Sequence, residues 1–416
     1  MRGQHPRIQA VPEEAKVTPI ELFFDLVFVF SLTQVTALMA QDLSGRGVLR
    51  GMLVLALLWW CWVGYSWLGN VLRADEGVGR VAMFGAMAAV LVLALSVPEA
   101  FDDLDGGLHG PLVLAFAYLA VRALHLGIFW LAAGDAEDRG LRRQLLRFAP
   151  SVLGSTVLLV VASQLEGPAQ TWTWVAVVAV DYIGTALAGA SGWRLNSASH
   201  FAERHGLVLI VALGESIVAI GVGVAGLPIS GPIVIASVLG LAVAGCIWWS
   251  YFDVSALVAE RVLREAEGTV RSRMARDAYS YLHLPMVAGV VVLALGLKKV
   301  LEYVGDTAAH DLTDALAALP SAVLFGGAAF YLAAHVAFRY RLVHTVGVQR
   351  LVTALVLVAL IPIGTLVPAL VALGVLTAVM VALITFEVIR FAELRERVRH
   401  DEDVAASRSD PTQTRG

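Results

Sequence analysis

Apolar runs of about twenty residues follow one another along almost the whole chain, separated by short polar segments. A helix needs about 20 apolar residues to cross roughly 30 Å of hydrocarbon at 1.5 Å per residue. The runs do not alternate with the period of two that a transmembrane β-strand requires, so we interpret them as helices. The pattern predicts twelve spans, near residues 20–41, 48–72, 80–98, 110–132, 147–165, 171–191, 205–226, 229–253, 279–300, 319–339, 349–368 and 371–391.

The composition supports this interpretation and excludes several other classes of protein. Of the 416 residues, 58% are hydrophobic and only 15% are charged, which leaves too little polar surface to cover a soluble core. The net charge of −4 offers no basic excess for binding nucleic acid. Cys61 and Cys246 both lie in apolar runs and are too few for a disulfide framework or a zinc cluster. We therefore expect a multi-pass membrane protein whose partner is the lipid bilayer, without nucleic acid, metal or cofactor.

The charges in the loops predict how the chain is oriented. Cytoplasmic loops of membrane proteins carry an excess of Lys and Arg. Nearly all of the 30 Lys and Arg residues fall in the N-terminal segment, in every second loop and in the C-terminal tail. Only four fall on the opposite side, namely Arg46, Arg50, Lys298 and Lys299. Both termini are therefore predicted to be cytoplasmic.

The two halves of the chain resemble each other. Residues 59–62 in the second span correspond to 248–251 in the eighth, and the pairs 90–95 with 290–295 and 117–122 with 330–335 follow in the same order. Because six spans are an even number, both copies would insert in the same orientation, with a substrate site or pore between them. The predicted fold class is an all-α membrane protein of about twelve transmembrane helices, arranged as a parallel 6+6 tandem repeat.

This repeat divides the chain into segments with different expected properties. The loop 254–278 carries an apolar stripe that is typical of an amphipathic helix, and the tail is expected to be mostly disordered. The predicted segments are a cytoplasmic N-terminal segment 1–19, a first six-helix repeat 20–191, a cytoplasmic linker 192–204, a second six-helix repeat 205–391 that contains the cytoplasmic loop 254–278, and a cytoplasmic tail 392–416.

Several ionisable residues lie inside the predicted spans, where a charge costs at least ~2.5–3.5 kcal/mol near mid-bilayer. Arg122, Asp181 and Glu215 each lie halfway along a span and so share one level. His125 lies one turn from Arg122 on the same helix face. Glu21 and Asp25 are four residues apart, so both carboxylates face one way. A layer nearer the cytoplasm contains these two acids together with Glu203, Arg204, His205, Asp253, His283, His335 and Glu387.

These residues are candidates for a polar pathway for protons, ions or a small polar solute. Carboxylates and histidines suit a proton relay, because burial and neighbouring charges adjust their affinity for protons. The alternative is that Arg122 pairs with Asp181 or Glu215 only to link helices, while groups near the cytoplasm extend to the headgroups. The candidate pathway residues are Glu21, Asp25, Arg122, His125, Asp181, Glu203, Arg204, Glu215, His283 and His335.

Enzyme motifs are weak in this sequence. His200 and His205 are five residues apart, so on a helix they point about 140° from each other and do not form a zinc motif. Ser216 follows Glu215, but no histidine is placed to activate it as a nucleophile. We therefore predict no catalytic set.

Three segments resemble the bacterial low temperature requirement A (LtrA) family. They are Thr18–Phe28, with its two acids; Glu203-Arg204-His205-Gly206 followed by Leu213-Gly214-Glu215-Ser216; and Tyr281–Pro285 with Gly289. The resemblance covers roughly residues 18–390 and implies a polytopic plasma-membrane protein, without a settled activity. By this resemblance, the family's characteristic positions are Glu21, Asp25, Glu203, Arg204, Gly214, Glu215 and His283.

Three functional hypotheses follow. The first is a transporter or channel linked to protons, in which Glu21, Asp25 and Glu215 bind the ion or proton, Arg122 supplies the counter-charge and His283 acts as a gate or relay. The second is a membrane-embedded enzyme that acts on a lipid or isoprenoid at a site open to one leaflet. The third is a structural protein of cold or stress adaptation, in which the buried charges only pair. A homo-oligomer is compatible with all three.

Overall fold

A computed structural model describes residues 15–73, 75, 77–132, 139–189, 193 and 195–392. The described residues form fourteen α-helices, a 3₁₀ turn at Val97–Glu99 and a π-helical turn at Ala275–Tyr281. The helices are α1 Pro19–Gln41, α2 Gly45–Val71, α3 Gly77–Leu95, α4 Gly110–Ala132, α5 Arg139–Ala162, α6 Gly167–Ala188, α7 Ala198–Gly223, α8 Gly231–Phe252, α9 Ser255–Glu265, α10 Gly268–Met274, α11 His283–Gly305, α12 Ala318–Val343, α13 Val348–Gly364 and α14 Ala369–Arg390.

Each of the twelve predicted spans coincides with one of the helices α1–α8 or α11–α14. Within the described residues, ten helical segments are long and apolar enough to cross a membrane, and two further apolar segments, Gly79–Leu95 and Val348–Gly364, are shorter. The chain is therefore a multi-pass membrane protein by the length and composition of its helices. Its orientation and its division into two repeats stay predictions.

The observed helices differ from the predicted spans mainly where polar residues extend them. Helix α5 begins at Arg139, before the predicted start at 147, and α7 begins at Ala198, before the predicted start at 205. Arginine and glutamine are good helix formers, so a helix continues beyond its apolar part. The N-cap Ser197 accepts a hydrogen bond from the backbone N of His200 and so fixes the start of α7. Consequently Arg204 lies two turns inside a helix.

Parts of three predicted segments lie outside the described residues. The N-terminal segment 1–19 is described only from residue 15, and the linker 192–204 without residues 192 and 194. We expect the tail 392–416 to be mostly disordered, but its residues from 393 onward lie outside the described part of the chain. The predicted amphipathic loop 254–278 forms the two short helices α9 and α10, and α9 packs against α7, α8 and α12.

Helices α2 and α11 occupy the centre of the bundle. Almost every residue of α2 from Leu53 to Asn70 is buried, and α11 is buried over most of its length. A helix that is apolar on all sides is expected at such a position. Large apolar side chains are exposed on the outer helices, for example Val81, Leu153, Val238 and Leu355. The core therefore lies around α2 and α11, and the outer surface is suited to lipid.

Helices α11 and α12 approach each other closely at glycines. A Cβ atom added to Gly289 would lie 2.5 Å from the backbone N of Tyr331, and one added to Gly327 would lie 2.9 Å from the carbonyl oxygen of Gly289. A Cβ atom added to Gly296 would likewise lie 2.5 Å from the Cα of Leu324. Small residues at such contacts let transmembrane helices pack backbone to backbone.

Replacing Gly327 with alanine should lower the stability of the bundle by about 1–3 kcal/mol, because the added methyl group overlaps backbone atoms of α11. The neighbouring Gly326 provides a matched control, since the closest atom to a Cβ there is the Ile361 Cδ1 at 3.9 Å. Gly326→Ala should leave stability unchanged or raise it slightly. Thermal unfolding of both variants in detergent tests this, and equal melting temperatures would contradict it.

Candidate functional site

A buried ion network joins α1 of the first half to α7 of the second. Glu21 and Asp25 lie one turn apart on α1, with exposures of 1% and 3%. The Arg204 guanidinium on α7 contacts both: Nη1 lies 2.9 Å from Glu21 Oε1 and Nη2 lies 3.0 Å from Asp25 Oδ1. Glu21 also caps its own helix, since its Oε2 accepts hydrogen bonds from the backbone N and the Oγ1 of Thr18, each at 2.9 Å. The start of α1 therefore fixes the position of Glu21.

Helix α2 supports this network from the side. The Trp62 Nε1 donates to Asp25 Oδ1 at 2.8 Å, and the Arg204 guanidinium lies 5.6 Å from the Trp62 ring. Gly69 of α2 lies directly against the Glu21 carboxylate, which leaves no space for a side chain. The network is thus held by three helices, and it excludes lipid and bulk water.

His200 is the fourth member of the network, and its two ring nitrogens contact Glu21 and Asn70. Its Nε2 lies 3.0 Å from Glu21 Oε2, so Nε2 carries a proton and donates. The Asn70 Oδ1 accepts from the backbone N of Asn196 and of Ser197, which orients the Asn70 amide nitrogen toward His200 Nδ1 at 3.4 Å. Asn70 and Glu21 therefore hold the His200 ring from both of its nitrogen atoms.

The structure brings together only some of the residues that the sequence predicted for this region. Glu21, Asp25 and Arg204 come together, whereas Glu203 is exposed and accepts a hydrogen bond from the backbone N of Val17 at 3.2 Å. His200 was not among the candidate residues of the sequence analysis. The sequence pattern that could have identified it is its spacing of four residues from Arg204, which places both side chains on one face of α7.

Arg122 and Asp181 form a second buried pair, between α4 and α6. The Arg122 Nη2 lies 3.6 Å from Asp181 Oδ1, and both side chains are 1% exposed. Tyr118 donates to Asp181 Oδ2 at 2.5 Å, and the Arg122 Nη1 donates to the carbonyl oxygen of Trp60 at 3.2 Å. Of the two partners that the sequence left open for Arg122, the structure selects Asp181.

Glu215 lies apart from this pair, although the sequence assigned all three residues to one level. Its Oε2 accepts a hydrogen bond from Thr33 Oγ1 of α1 at 2.6 Å. The neighbouring Ser216 is buried, and its hydroxyl has no hydrogen-bond partner among the described residues. Glu215 therefore belongs to the contact between α1 and α7, deeper along the same two helices as Arg204.

Two histidines lie in an aromatic cluster between α2, α7 and α11. The His283 Nδ1 lies 3.1 Å from the carbonyl oxygen of Ala278 and its Nε2 lies 3.0 Å from the Tyr251 hydroxyl. The His205 ring lies 5.0 Å from that of Trp62 and 5.2 Å from that of His283, measured between centroids. These rings connect Asp25, through Trp62, to the second half of the chain.

His335 lies farther along the second half. Its Nδ1 is 2.9 Å from Arg350 Nη1, and Arg350 forms a bidentate pair with Glu387 at 2.7 Å for both bonds. Arg350 and Glu387 line a cavity of about 260 Å³ between the ends of α8, α12, α13 and α14. Among the described residues, no three His, Cys, Asp or Glu side chains are placed to share a metal ion.

A second cavity, of about 40 Å³, lies between helices of the first half and the segment of α10 and the π-helical turn. Its wall is formed mainly by aromatic rings of α2 and α5 and by Trp193, and Arg122 and His125 of α4 lie in it. Neither ring nitrogen of His125 makes a hydrogen bond within the described structure, and neither does the Nε of Arg122. The cavity thus contains buried nitrogen atoms without partners.

Comparison with known proteins gives one family. The sequence profile described as "Bacterial low temperature requirement A protein (LtrA)" matches residues 16–385. The chain is 29% identical over 295 residues to "Uncharacterized protein RA0937" of Rhizobium meliloti (strain 1021), which covers 68% of this chain and 69% of that protein. No solved structure matches the chain significantly. The resemblance noted in the sequence is therefore confirmed.

Proposed function

We infer that this protein, which belongs to the bacterial low temperature requirement A (LtrA) family, is a proton-linked transporter or channel of the plasma membrane. The coupling site is the network of Glu21, Asp25, Arg204 and His200. The pathway runs between the two halves of the chain, along the contact of α1 with α7. Both termini lie in the cytoplasm.

The charge of the network carries this proposal. Two carboxylates face one permanent cation, and His200 contacts Glu21 rather than Asp25. Two buried carboxylates with a single permanent cation need a further positive charge, because an uncompensated charge is costly in a site from which water is excluded. The Asp25 Oδ2 has no hydrogen-bond partner among the described residues. A proton on this oxygen, or a monovalent cation beside it, balances the charge.

The position of Glu215 supports a route along the same two helices. Asp25 and Thr33 are eight residues apart on α1, which corresponds to about 12 Å along the axis. The buried side chains of Phe28 and Leu32 lie between them in the chain, and the buried Ser31 hydroxyl donates to the carbonyl oxygen of Val27 in its own helix, so two polar layers are separated by a mainly apolar one. Such a layer closes the route in this conformation, and a relative movement of α1 and α7 opens it. His283, connected to Asp25 through Trp62 and His205, is the relay to the second half.

Helix packing is consistent with two repeats. In the first half α1 packs on α2 and α3, and α3 packs on α4; in the second, α7 packs on α8 and α11, and α11 packs on α12. The same order of contacts supports a parallel arrangement of two six-helix units, with α9 and α10 inserted in the second. In this arrangement α1 and α7 are equivalent helices, and the ion network joins them.

Enclosure of the charged groups favours transport over catalysis on lipid. An enzyme that acts on a lipid or isoprenoid needs its reactive groups open to one leaflet. Glu21, Asp25 and Arg204 are at most 3% exposed and are surrounded by helices. A solute or proton reaches such groups through the interior of the protein.

Proton flux into liposomes tests the proposal. With a membrane potential imposed across proteoliposomes that contain a pH-sensitive dye, the wild-type protein should acidify or alkalinise the lumen. Asp25→Asn should lower the rate by at least about tenfold, because the charge imbalance is removed. Glu203→Gln is the matched control, since this exposed carboxylate lies next to Arg204 in the chain but outside the network. A wild-type flux no greater than that of Asp25→Asn or of Glu215→Gln would contradict the proposal.

A further inference from the structure

We propose that the cavity between the ends of α8, α12, α13 and α14 binds the phosphodiester headgroup of an anionic membrane phospholipid such as phosphatidylglycerol. The cavity measures about 260 Å³, several times the roughly 30 Å³ that one water molecule occupies in the liquid. It is smaller than the roughly 300–1,000 Å³ of a site that encloses a whole small molecule. It therefore suits one polar group of a larger molecule whose remainder stays outside.

An arginine of this cavity is available to an anion. Arg339, near the end of α12, lines the cavity and makes no hydrogen bond or ion pair with the described residues. The carboxylate of Glu387 acts on it electrostatically, but both oxygens of Glu387 already accept hydrogen bonds from Arg350, at 2.7 Å each. The Arg339 guanidinium therefore keeps its donors, and their planar fork matches the oxygens of a phosphate group.

Further donors converge on the same space. Arg350 lines the cavity from the first turn of α13 and is 5% exposed. Gln349 and Thr345 line it as well. Helix α13 begins at Val348 without a side-chain cap and without an acidic residue in its first turn, so no carboxylate of its own neutralises the positive end of the helix. The wall thus offers an anion donors from α12, from α13 and from the loop between them.

The carboxylates of the wall limit the charge of the ligand. Besides Glu387, Asp253 at the end of α8 lines the cavity. These two carboxylates formally balance Arg339 and Arg350, so a second negative charge on the ligand would meet no further cation. A phosphate monoester carries a charge of about −1.5 to −2 at neutral pH, whereas a diester carries only one. The wall therefore favours a diester, the form of phosphate that joins a phospholipid headgroup to its glycerol.

The rim of the cavity offers a surface to the rest of a lipid. Trp249 of α8, Val346 and Phe391 line the cavity and are exposed. Tryptophan is enriched where membrane helices meet the headgroup layer. The loop charges predict this end of the bundle to be cytoplasmic, and basic pockets between helices on that side bind anionic headgroups. The phosphate can therefore enter the cavity while the acyl chains lie on the apolar outer surface.

Binding to the delipidated full-length protein in a non-ionic detergent tests the inference. Native mass spectrometry compares phosphatidylglycerol, phosphatidylcholine and phosphatidic acid with identical acyl chains, and calorimetry measures inorganic phosphate and glycerol phosphate. The first phosphatidylglycerol should bind at least about tenfold more tightly than phosphatidylcholine or either soluble phosphate. Phosphatidic acid should bind no more tightly than phosphatidylglycerol.

Two variants locate the site. Arg339→Gln removes a guanidinium of the wall and should weaken phosphatidylglycerol binding about five- to tenfold. Its melting temperature without lipid should stay close to that of the wild type, because no ion pair with the described residues is lost. Thr345→Val removes one hydroxyl donor and should weaken binding several-fold. Arg390→Gln is the matched control, since this exposed arginine ends α14 outside the cavity wall, and it should leave the affinity unchanged.

Equal affinity for phosphatidylglycerol and phosphatidylcholine, tighter binding of phosphatidic acid or of a soluble phosphate, or no binding at all overturns the lipid site. Equal losses in Arg339→Gln and Arg390→Gln also overturn it, because they indicate only a general attraction to positive charge. If Arg339→Gln does not fold, Thr345→Val compared with Arg390→Gln decides. Lipid binding at this site is independent of the proposed transport function, so absence of proton flux contradicts the coupling network alone.

Discussion

Replacing Arg204 with alanine should lower the stability of the protein by about 3–5 kcal/mol, because it leaves two buried carboxylates without their cation. Arg204 is fully buried and contacts Glu21 and Asp25 at 2.9 and 3.0 Å. Its removal also breaks one of the polar contacts between α1 and α7, through which the two halves meet. The loss of stability should appear as a lower melting temperature in detergent and a lower yield of folded protein.

Two further variants establish the cause of this loss. Arg273 of α10 is exposed, and among the described residues its Nε donates to the carbonyl oxygen of Thr269 in its own helix. Arg273→Ala should therefore melt close to the wild type. Combining Arg204→Ala with Glu21→Gln and Asp25→Asn should restore much of the lost stability, because the uncompensated charges are gone. If Arg204→Ala melts like Arg273→Ala, the network does not hold the two halves together.

The membrane-spanning helices could be predicted from the sequence because the signal is local. A run of twenty apolar residues is a property of consecutive positions, and all twelve runs coincide with helices. The start of α7 could not be placed in the same way. The residues from Ala198 to His205 are mostly polar, and they are helical because Ser197 caps them and because Arg204 and His200 find partners in α1.

The site could be predicted only as far as spacing along one helix determines it. The four-residue interval placed Glu21 and Asp25 on one face, and the three-residue interval placed Arg122 beside His125. The partners of these groups are remote in sequence: Arg204 is 179 residues from Asp25, and Thr33 is 182 residues from Glu215. Which helices are neighbours, and how each is rotated, decides such pairs. Depth along a span alone therefore grouped Glu215 with Arg122 and Asp181.

Replacing Arg122 with alanine should also cost about 3–5 kcal/mol, because Asp181 would stay buried with Tyr118 as its one remaining hydrogen-bond partner among the described side chains. Asp181→Asn should be similarly unfavourable, since the buried Arg122 would lose its counter-charge and keep, among the described residues, only its hydrogen bond to the carbonyl oxygen of Trp60. Arg147→Ala, at an exposed position of α5, is the control with no expected change. Melting temperatures in detergent measure all three.

The double variant Arg122→Met with Asp181→Asn separates a structural role of this pair from a role in transport. A buried ion pair replaced by neutral groups of similar volume is often as stable as before, so the double variant should regain most of the stability that each single change removes. If the pair only links α4 to α6, this folded variant retains proton flux. If Arg122 supplies a counter-charge on the proton pathway, the variant folds but its proton flux falls at least about tenfold. If the double variant is no more stable than Arg122→Ala, the two side chains do not stabilise each other. The buried pair would then contribute nothing to the stability of the fold.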